Sequence, residues 1–189
     1  MATVTEVSIC SNALAKLGED AITALTDNTV RARLCNRLYE PTRDAVLRDH
    51  IWNFALKRQE LAQDSDEPAW GYSYSYTLPS DCLRVIKTDL DEDKLEWKVE
   101  GRAILTDESS CSILFVKRET DPQQFDVLFT DCLQARLAFE LCHGITGKQS
   151  LAAEKWQEYN DKLRRAKGVD GQEGTTEIIE SSELSDART

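Results

Sequence analysis

The hydrophobic pattern of this chain changes its period twice, and this change constrains the fold more than any other feature. Apolar residues recur every three or four positions up to about residue 53, alternate over residues 54–119, and return to helical spacing over residues 120–168. A period near 3.6 residues is typical of a helix packed on one face, and a period of two is typical of a half-buried strand. The sequence therefore predicts an α+β protein, with a small antiparallel sheet inserted between the second and third helices.

The two helical segments predict about four helices packed as an antiparallel bundle. The first helix spans about Thr3–Leu17, with Thr3 and Glu6 at the spacing of a capping box. The second helix begins near Asp27 and contains Pro41. Because proline removes a backbone hydrogen bond inside a helix, we expect a kink or a break there. Two further helices are expected in the second helical segment.

The inserted segment, residues 54–119, predicts four or five short strands that form one small antiparallel sheet. Aromatic and hydroxyl side chains alternate over Tyr72–Thr77, and Pro79 ends that strand. Alternation returns over Cys111–Lys117. Residues 54–61 are a further candidate, as an edge strand. Short strands joined by tight turns are typical of a small inserted β domain.

The last segment, residues 169–189, has a different composition from the rest of the chain. It contains six acidic residues and one basic residue, and its sizeable apolar side chains beyond Val169 are those of Ile178, Ile179 and Leu184. A segment this polar buries too little apolar surface to fold alone. We therefore expect an extended acidic C-terminal tail that a neighbouring chain orders, with these three residues as apolar anchors at the interface.

The charge balance of the chain indicates which classes of molecule it can bind. The chain carries 34 acidic and 23 basic residues, for a net charge of −11. Such an excess repels nucleic acid and anionic membranes over most of a surface, although it permits a local basic patch. No apolar run approaches the roughly 20 residues of a membrane span. The N-terminus lacks the basic start and apolar stretch of a secretory signal, so we expect a chain that stays in the cytoplasm where it is made.

The second helix predicts a local basic face. Opposite its apolar stripe lie five arginines, Arg31, Arg33, Arg37, Arg43 and Arg48. Residues 31–58 hold seven basic residues against three acidic ones. Such a face either contacts phosphates or pairs with acidic groups of an adjacent subunit or protein, although a solvated face is the commoner case. The first four arginines are the candidate interface residues.

Candidate catalytic groups are few. The chain has two histidines, His50 and His143, and none of its six cysteines forms a C-x-x-C pair. Cys142 and His143 are neighbours in a predicted helix, where consecutive side chains point about 100° apart, and this is poor geometry for a nucleophile and its base. We expect reduced cysteines packed as small apolar side chains, and no catalytic residue.

Two short stretches resemble binding motifs without the required spacing. The acidic run Asp89–Asp93 suggests a calcium loop, but it lacks the glycine at the sixth position and the terminal glutamate. A solvated turn between strands is the commoner explanation. The stretch Gly144–Ser150 has its glycines too close for a phosphate-binding loop and follows no strand. The sequence therefore predicts no metal ligand and no cofactor.

An ordered series of short segments is similar to the tail tubular protein A family, the head-to-tail adaptors of short-tailed phages. The segments are Ser8–Asp20 (SICSNALAKLGED), Arg31–Asn36, Arg43–Arg48, Trp52–Ala55, Leu78–Val85, Trp97–Gly101 and Ile104–Thr106. The resemblance covers about residues 5–165, and the segment beyond Gly168 has no counterpart in it. No single segment is diagnostic, and the order of the series carries the likeness.

The resemblance implies a structural virion protein rather than an enzyme. Subunits of this family form a ring, expected to contain twelve copies, which docks beneath the portal protein, continues the DNA channel and receives the tail nozzle. Tail fibres also attach in some relatives. Double-stranded DNA would pass through the lumen without sequence-specific binding, and no membrane is involved. The family has no catalytic or cofactor-binding residues to carry over. The implied location is the head-to-tail interface of the virion.

Two other classes of function stay open from the residues themselves. The arginine face of the second helix could serve a DNA-binding module, whose affinity would fall steeply with salt. Alternatively, scattered acidic residues could assemble an enzyme site, which would contain carboxyl groups with strongly shifted pKa values in a pocket.

Overall fold

The computed structural model describes residues 3–170. Its helices are α1 (Glu6–Ala15), α2 (Val30–Asp49), α3 (Val127–Thr146) and α4 (Gln149–Asp170). Its strands are β1 (Leu56–Glu60), β2 (Tyr74–Thr77), β3 (Cys82–Thr88), β4 (Trp97–Glu100), β5 (Ala103–Thr106) and β6 (Ser112–Lys117). Single turns of 3₁₀ helix lie at Asn53–Ala55, Asp89–Asp91 and Pro122–Gln124. The predicted α+β class is confirmed.

Helix α3 is the centre of the helical part of the fold. It packs most closely on α4, to which Gly147 and Lys148 join it, and it also contacts α2 and α1. Gly147 ends α3 with a φ of 66°, a left-handed conformation that glycine adopts without a steric penalty. A wide apolar face of α3 is buried among these helices, including Phe129, Leu133 and Leu137.

The starts of the first two helices differ from the sequence prediction. Thr5, rather than Thr3, caps α1, and its hydroxyl and that of Ser8 bond reciprocally to each other's backbone N–H. Thr29 caps α2, two residues after the predicted Asp27. The Asp27 carboxylate instead accepts hydrogen bonds from the backbone of Thr23 and Ala24. Asp27 therefore stabilises the turn that precedes α2 rather than the start of the helix. A short acidic side chain can accept hydrogen bonds from the backbone of either the turn or the helix.

The expected break at Pro41 is absent, because α2 is helical from Val30 to Asp49. The proline side chain is exposed on the outer side of the helix. The segments on both sides of it are held by the same core, through Cys35 and Tyr39 before it and Val46 after it. Tertiary packing on both sides of a proline can outweigh the lost hydrogen bond, since helix propensity is a weak determinant in a packed helix.

The strands form two antiparallel sheets rather than the single sheet predicted. The first sheet has the order β1-β6-β3 and the second has the order β2-β5-β4. Strand β1 pairs with β6 at the edge of the first sheet, so the predicted edge strand within residues 54–61 is confirmed. The register of β3 against β6 shifts twice along its length, and these irregularities increase the local twist.

The first sheet is the middle layer of the fold. Alternate residues of β6 face opposite ways, so that Val116 packs with the helices while Ile113 and Phe115 pack with the second sheet. Tyr76 and Ile104 supply the other side of that second core. Helices, first sheet and second sheet therefore lie in that order, and within residues 3–170 no further layer covers the outer face of the second sheet.

Candidate interaction surfaces

The predicted arginine face of α2 is divided among several local contacts. The Nη1 of Arg31 lies 3.0 Å from the Glu19 carboxylate and 3.2 Å from that of Asp20, in the loop after α1. Arg33 donates to the side-chain oxygen of Asn28 at 2.8 Å. Arg37 is exposed. Among the four candidate interface arginines, Arg33 and Arg37 are the exposed ones.

Arg43 is not on an exposed face, and that part of the prediction is wrong. Its side chain is 3% exposed, and Nε and Nη2 donate to the same oxygen of Asp44 at 3.0 and 2.8 Å. The other Asp44 oxygen accepts from Nε of Arg118, just after β6, at 2.7 Å. Asp44 therefore joins a buried guanidinium on α2 to the end of the first sheet. The sequence does not indicate which arginine of an arginine-rich stretch is buried in this way.

Arg48 joins the same two parts of the fold. Its Nη1 donates to the backbone carbonyl of Leu83 in β3 at 2.5 Å. Arg48 therefore holds α2 against the first sheet directly, and Arg43 is linked to that sheet through Asp44.

Aromatic side chains cluster around Arg136 of α3, and the sequence pattern did not indicate this cluster. Among the cations of the helical part, Arg136 stacks on the largest number of aromatic rings. Its guanidinium carbon lies 4.8 Å from the ring centre of Trp156 and 5.3 Å from that of Tyr159. Its Nε donates to Glu140 at 2.9 Å. Tyr159 donates its hydroxyl proton to Asp49 at 2.5 Å, and burial raises the pKa of Tyr159. The cluster ties α2, α3 and α4 together, and only the spacing of Arg136 and Glu140 on one helix is visible in the sequence.

An open acidic cleft lies over the outer face of the second sheet, with a volume of about 630 Å³. Ser75, Leu105 and Lys98, on three adjacent strands, form its floor. The loop before β2 forms its wall and carries Trp70, whose side chain is 86% exposed. Five carboxylates line the cleft, those of Asp66, Glu67, Glu96, Glu100 and Asp107. Among its described lining residues Lys98 is the single cation, and it pairs with Glu100 at 2.7 Å.

A shallow basic groove runs along one side of α4. Its volume is about 380 Å³, and its lining includes Leu163, Arg164 and Lys167. The Arg164 side chain is 75% exposed, and its contact with Asp161 at 3.2 Å is within the same helix. Arg164 and Lys167 are three residues apart, so they project from one side of the helix.

The two histidines are far from the arrangement of a catalytic pair. The Nε2 of His50 lies 2.8 Å from the Asp170 carboxylate, which links the end of α2 to the end of α4. Burial lowers the pKa of His50, and the hydrogen bond with Asp170 offsets part of that shift. His143 is exposed in the last turns of α3. Among the described residues, neither histidine forms a hydrogen bond with a cysteine.

The acidic run Asp89–Asp93 forms a 3₁₀ turn and the residues that follow it. The Asp91 carboxylate accepts from the backbone of Thr88 and from Nε1 of Trp97, and the Asp89 carboxylate accepts from the backbone of Ser112. These carboxylate oxygens therefore already accept hydrogen bonds from the turn and from neighbouring strands. Within residues 3–170 no group of three or more histidine, cysteine, aspartate or glutamate side chains has the arrangement of a metal site.

All six cysteines are buried, and none of them is in a disulfide bond. Cys10 and Cys35 lie on facing helices, and the hydrogen bond to Cys35 together with burial raises the pKa of Cys10. Three of the predicted interface residues, Ile178, Ile179 and Leu184, lie outside the described residues, as does the acidic tail beyond Asp170.

Comparison with known proteins adds no relative to these observations: no family model matches the chain, and no curated protein matches it. Within the part of the chain that the structure describes, none of the helices combines the length and the apolar composition needed to cross a membrane.

Proposed function

We propose that this protein is a structural subunit of a phage virion, a head-to-tail adaptor that assembles as a ring, with twelve copies expected, between the portal protein and the tail nozzle. The ring continues the channel through which double-stranded DNA leaves the capsid. The proposal starts from the ordered series of segments that resemble the tail tubular protein A family.

The observation that carries the proposal is where those segments lie in the fold. Trp52–Ala55 forms the joint between α2 and β1, where Trp52 is 1% exposed and its Nε1 donates to the carbonyl of Val46 at 2.9 Å. Leu78–Val85 forms the joint between the two sheets, and Arg102 donates to the carbonyl of Pro79 there at 2.5 Å. Two of the seven resembling segments therefore lie at joints between layers, and this position supports a shared architecture rather than a chance match of composition.

The charge of the chain also supports this function. A net charge of −11 for each subunit allows a ring whose lumen is acidic or neutral. A strongly basic lumen would hold the phosphates and slow the passage of DNA, whereas an acidic wall repels them. The paired arginines of α2 are compatible with such a ring, because Arg31 and Arg43 are already neutralised by carboxylates of their own subunit.

Electron microscopy of this protein mixed with the portal protein of the same genome tests the proposal. We expect a second ring stacked coaxially on the portal ring, with a rotational symmetry that gives the subunit number. Portal alone is the control. A bare portal in the presence of excess protein would contradict the adaptor function.

A DNA-binding module is the second candidate, and the exposed pair Arg33 and Arg37 is the feature that favours it. Such a module would bind duplex DNA at low salt and lose affinity steeply as salt is raised. The adaptor function instead predicts no measurable affinity for duplex DNA at low salt, which a fluorescence anisotropy titration measures.

A further inference from the structure

Two surfaces of opposite charge lie on different layers of the described part of the chain. The acidic cleft is on the outer face of the second sheet, beside Trp70. The basic groove lies along α4, beside Arg164 and Lys167, and the ion pair of Arg164 there is with Asp161 of the same helix. Each surface includes an apolar side chain, the exposed indole of Trp70 at the wall of the cleft and the half-buried side chain of Leu163 in the groove.

The two surfaces cannot meet within one subunit. Residues of α4 such as Tyr159 and Ala166 belong to the core of the helical part, whereas Tyr76 and Ile104 of the second sheet belong to the other core. The first sheet lies between these cores. The cleft lies on the side of the second sheet opposite the first sheet, and the groove lies on α4 in the helical layer, so a contact between them joins two molecules.

We propose that the acidic cleft of one subunit receives the basic groove of α4 from a second copy of this chain. Trp70 would pack on Leu163 and stack against the guanidinium of Arg164, a geometry that favours arginine over lysine. The carboxylates of Glu67 and Glu96 would pair with Arg164 and Lys167. Such complementary patches fix the register of a contact and speed its formation.

A contact between two different surfaces is heterologous, and repeating it closes a ring when the rotation between subunits allows. The inference thus rests on the proposed function and deepens it, by naming the surfaces through which neighbouring subunits of the ring would bind. A nucleic acid is a poor occupant of the cleft because its phosphates would face five carboxylates. A cationic segment of a neighbouring copy fits both the charge and the exposed aromatic ring.

Reversing the charge of each surface separately, and then of both together, tests the inference. The cleft variant carries Glu67→Lys and Glu96→Lys, and the groove variant carries Arg164→Glu and Lys167→Glu. None of these four side chains is buried. A third variant carries all four changes. Matched controls reverse exposed charges elsewhere, with Glu60→Lys and Asp93→Lys for the cleft, and Arg58→Glu and Arg84→Glu for the groove.

Self-association of each variant is measured by sedimentation velocity at low salt, and ring formation on the portal is measured by electron microscopy. We expect the cleft and groove variants to associate at least roughly tenfold more weakly than the unchanged protein. The variant with all four changes should recover association, because its surfaces are complementary again with their signs exchanged. An equal mixture of the cleft and groove variants should also associate, in alternation. Both controls should behave as the unchanged protein.

The outcomes separate the inference from the proposed function. Rings that form normally from the cleft and groove variants would overturn the inference and leave the adaptor function standing. A portal that stays bare with the unchanged protein would contradict the adaptor function, and the sedimentation series would then decide the inference alone. Loss of association in the control with Arg58→Glu and Arg84→Glu, or failure of the four-change variant to recover, would overturn the inference by placing the contact elsewhere. A cleft variant that self-associates normally but no longer docks would identify the portal as the occupant of the cleft.

Discussion

At the scale of single residues, burial sets the chemistry of the thiols. Cys111 and Cys132 are almost completely buried, in the second core and in the helical core respectively. Burial raises the pKa of Cys111 to about 11 and that of Cys132 to about 12. Few thiolates are therefore present at neutral pH, and these cysteines act as small apolar side chains, as the sequence predicts.

Alkaline pH should therefore destabilise the protein. An unfolded thiol ionises near pH 9, while the folded thiol keeps its proton up to about pH 11 or 12. The stability contributed by the protonated thiol is present below pH 9 and is lost as the pH rises through the folded pKa. We expect the free energy of unfolding to fall by roughly 3 kcal/mol for Cys111 and roughly 4 kcal/mol for Cys132. Urea denaturation between pH 8 and 12 measures it, and Cys132→Ala should show a smaller fall than the unchanged protein.

Arg136 gives a second prediction at this scale. Replacing it with lysine keeps the charge but removes the planar group that stacks on Trp156 and Tyr159. We expect Arg136→Lys to lower the free energy of unfolding by about 1–2 kcal/mol. Arg165→Lys, an exposed change on α4, is the control and should leave stability within about 0.5 kcal/mol. Equal effects of the two changes would show that stacking contributes nothing measurable.

At the scale of secondary-structure elements, the sequence identifies the type of nearly every element and is less accurate on ends. Helices α3 and α4 follow their apolar periodicity, and β6 follows its alternation. The caps of α1 and α2 are displaced because several hydroxyl and carboxylate side chains near each start can accept the same backbone N–H. Thr5 and Thr29 make the capping bonds that the structure records.

The continuous helix at Pro41 leads to a prediction for α2. Proline has no N–H to donate to the carbonyl of Arg37, four residues earlier, and its ring is exposed rather than packed. Pro41→Ala should therefore raise the free energy of unfolding by about 1–3 kcal/mol. Glu40→Ala changes a neighbouring exposed position and serves as the control for helix propensity. Loss of stability in Pro41→Ala would show that α2 needs the proline geometry.

At the scale of the whole molecule, Asp44 connects the helices to the first sheet. Its two oxygens bind Arg43, which is buried, and Arg118, at the end of β6. Removing the carboxylate would leave the Arg43 charge buried and unpaired, and this is costly in a medium of low polarity. The link therefore makes the unfolding of the two parts interdependent.

We expect Asp44→Ala to lower the free energy of unfolding by about 3 kcal/mol. Asp161→Ala removes a carboxylate from an exposed pair with Arg164, and it should cost less than about 1 kcal/mol. Urea denaturation followed by tryptophan fluorescence and by circular dichroism should give coincident transitions in the unchanged protein. A variant Asp44→Ala as stable as Asp161→Ala would contradict the role of this link.

The candidate surfaces show where sequence reasoning stops. The arginine-rich stretch of α2 was visible, but its division into buried Arg43, bridging Arg48 and exposed Arg37 was not. The acidic cleft was not visible at all, since it combines the loop around Trp70 with carboxylates from β4 and from the end of β5. The local periodicity of a sequence does not indicate which residues more than 20 positions apart come together in the fold.

The sequence by itself determined the α+β class, the order of helices and strands, the edge strand and the burial of the cysteines. Each of these features follows from local periodicity and composition. The spacing of apolar residues along a helix or strand decides which of its faces is apolar. Only the tertiary structure decided that the strands form two sheets, that the first sheet is the middle layer, and which arginines stay exposed. These features depend on pairings between distant segments, and the free energy of such pairings comes from complementary surfaces that no local window contains.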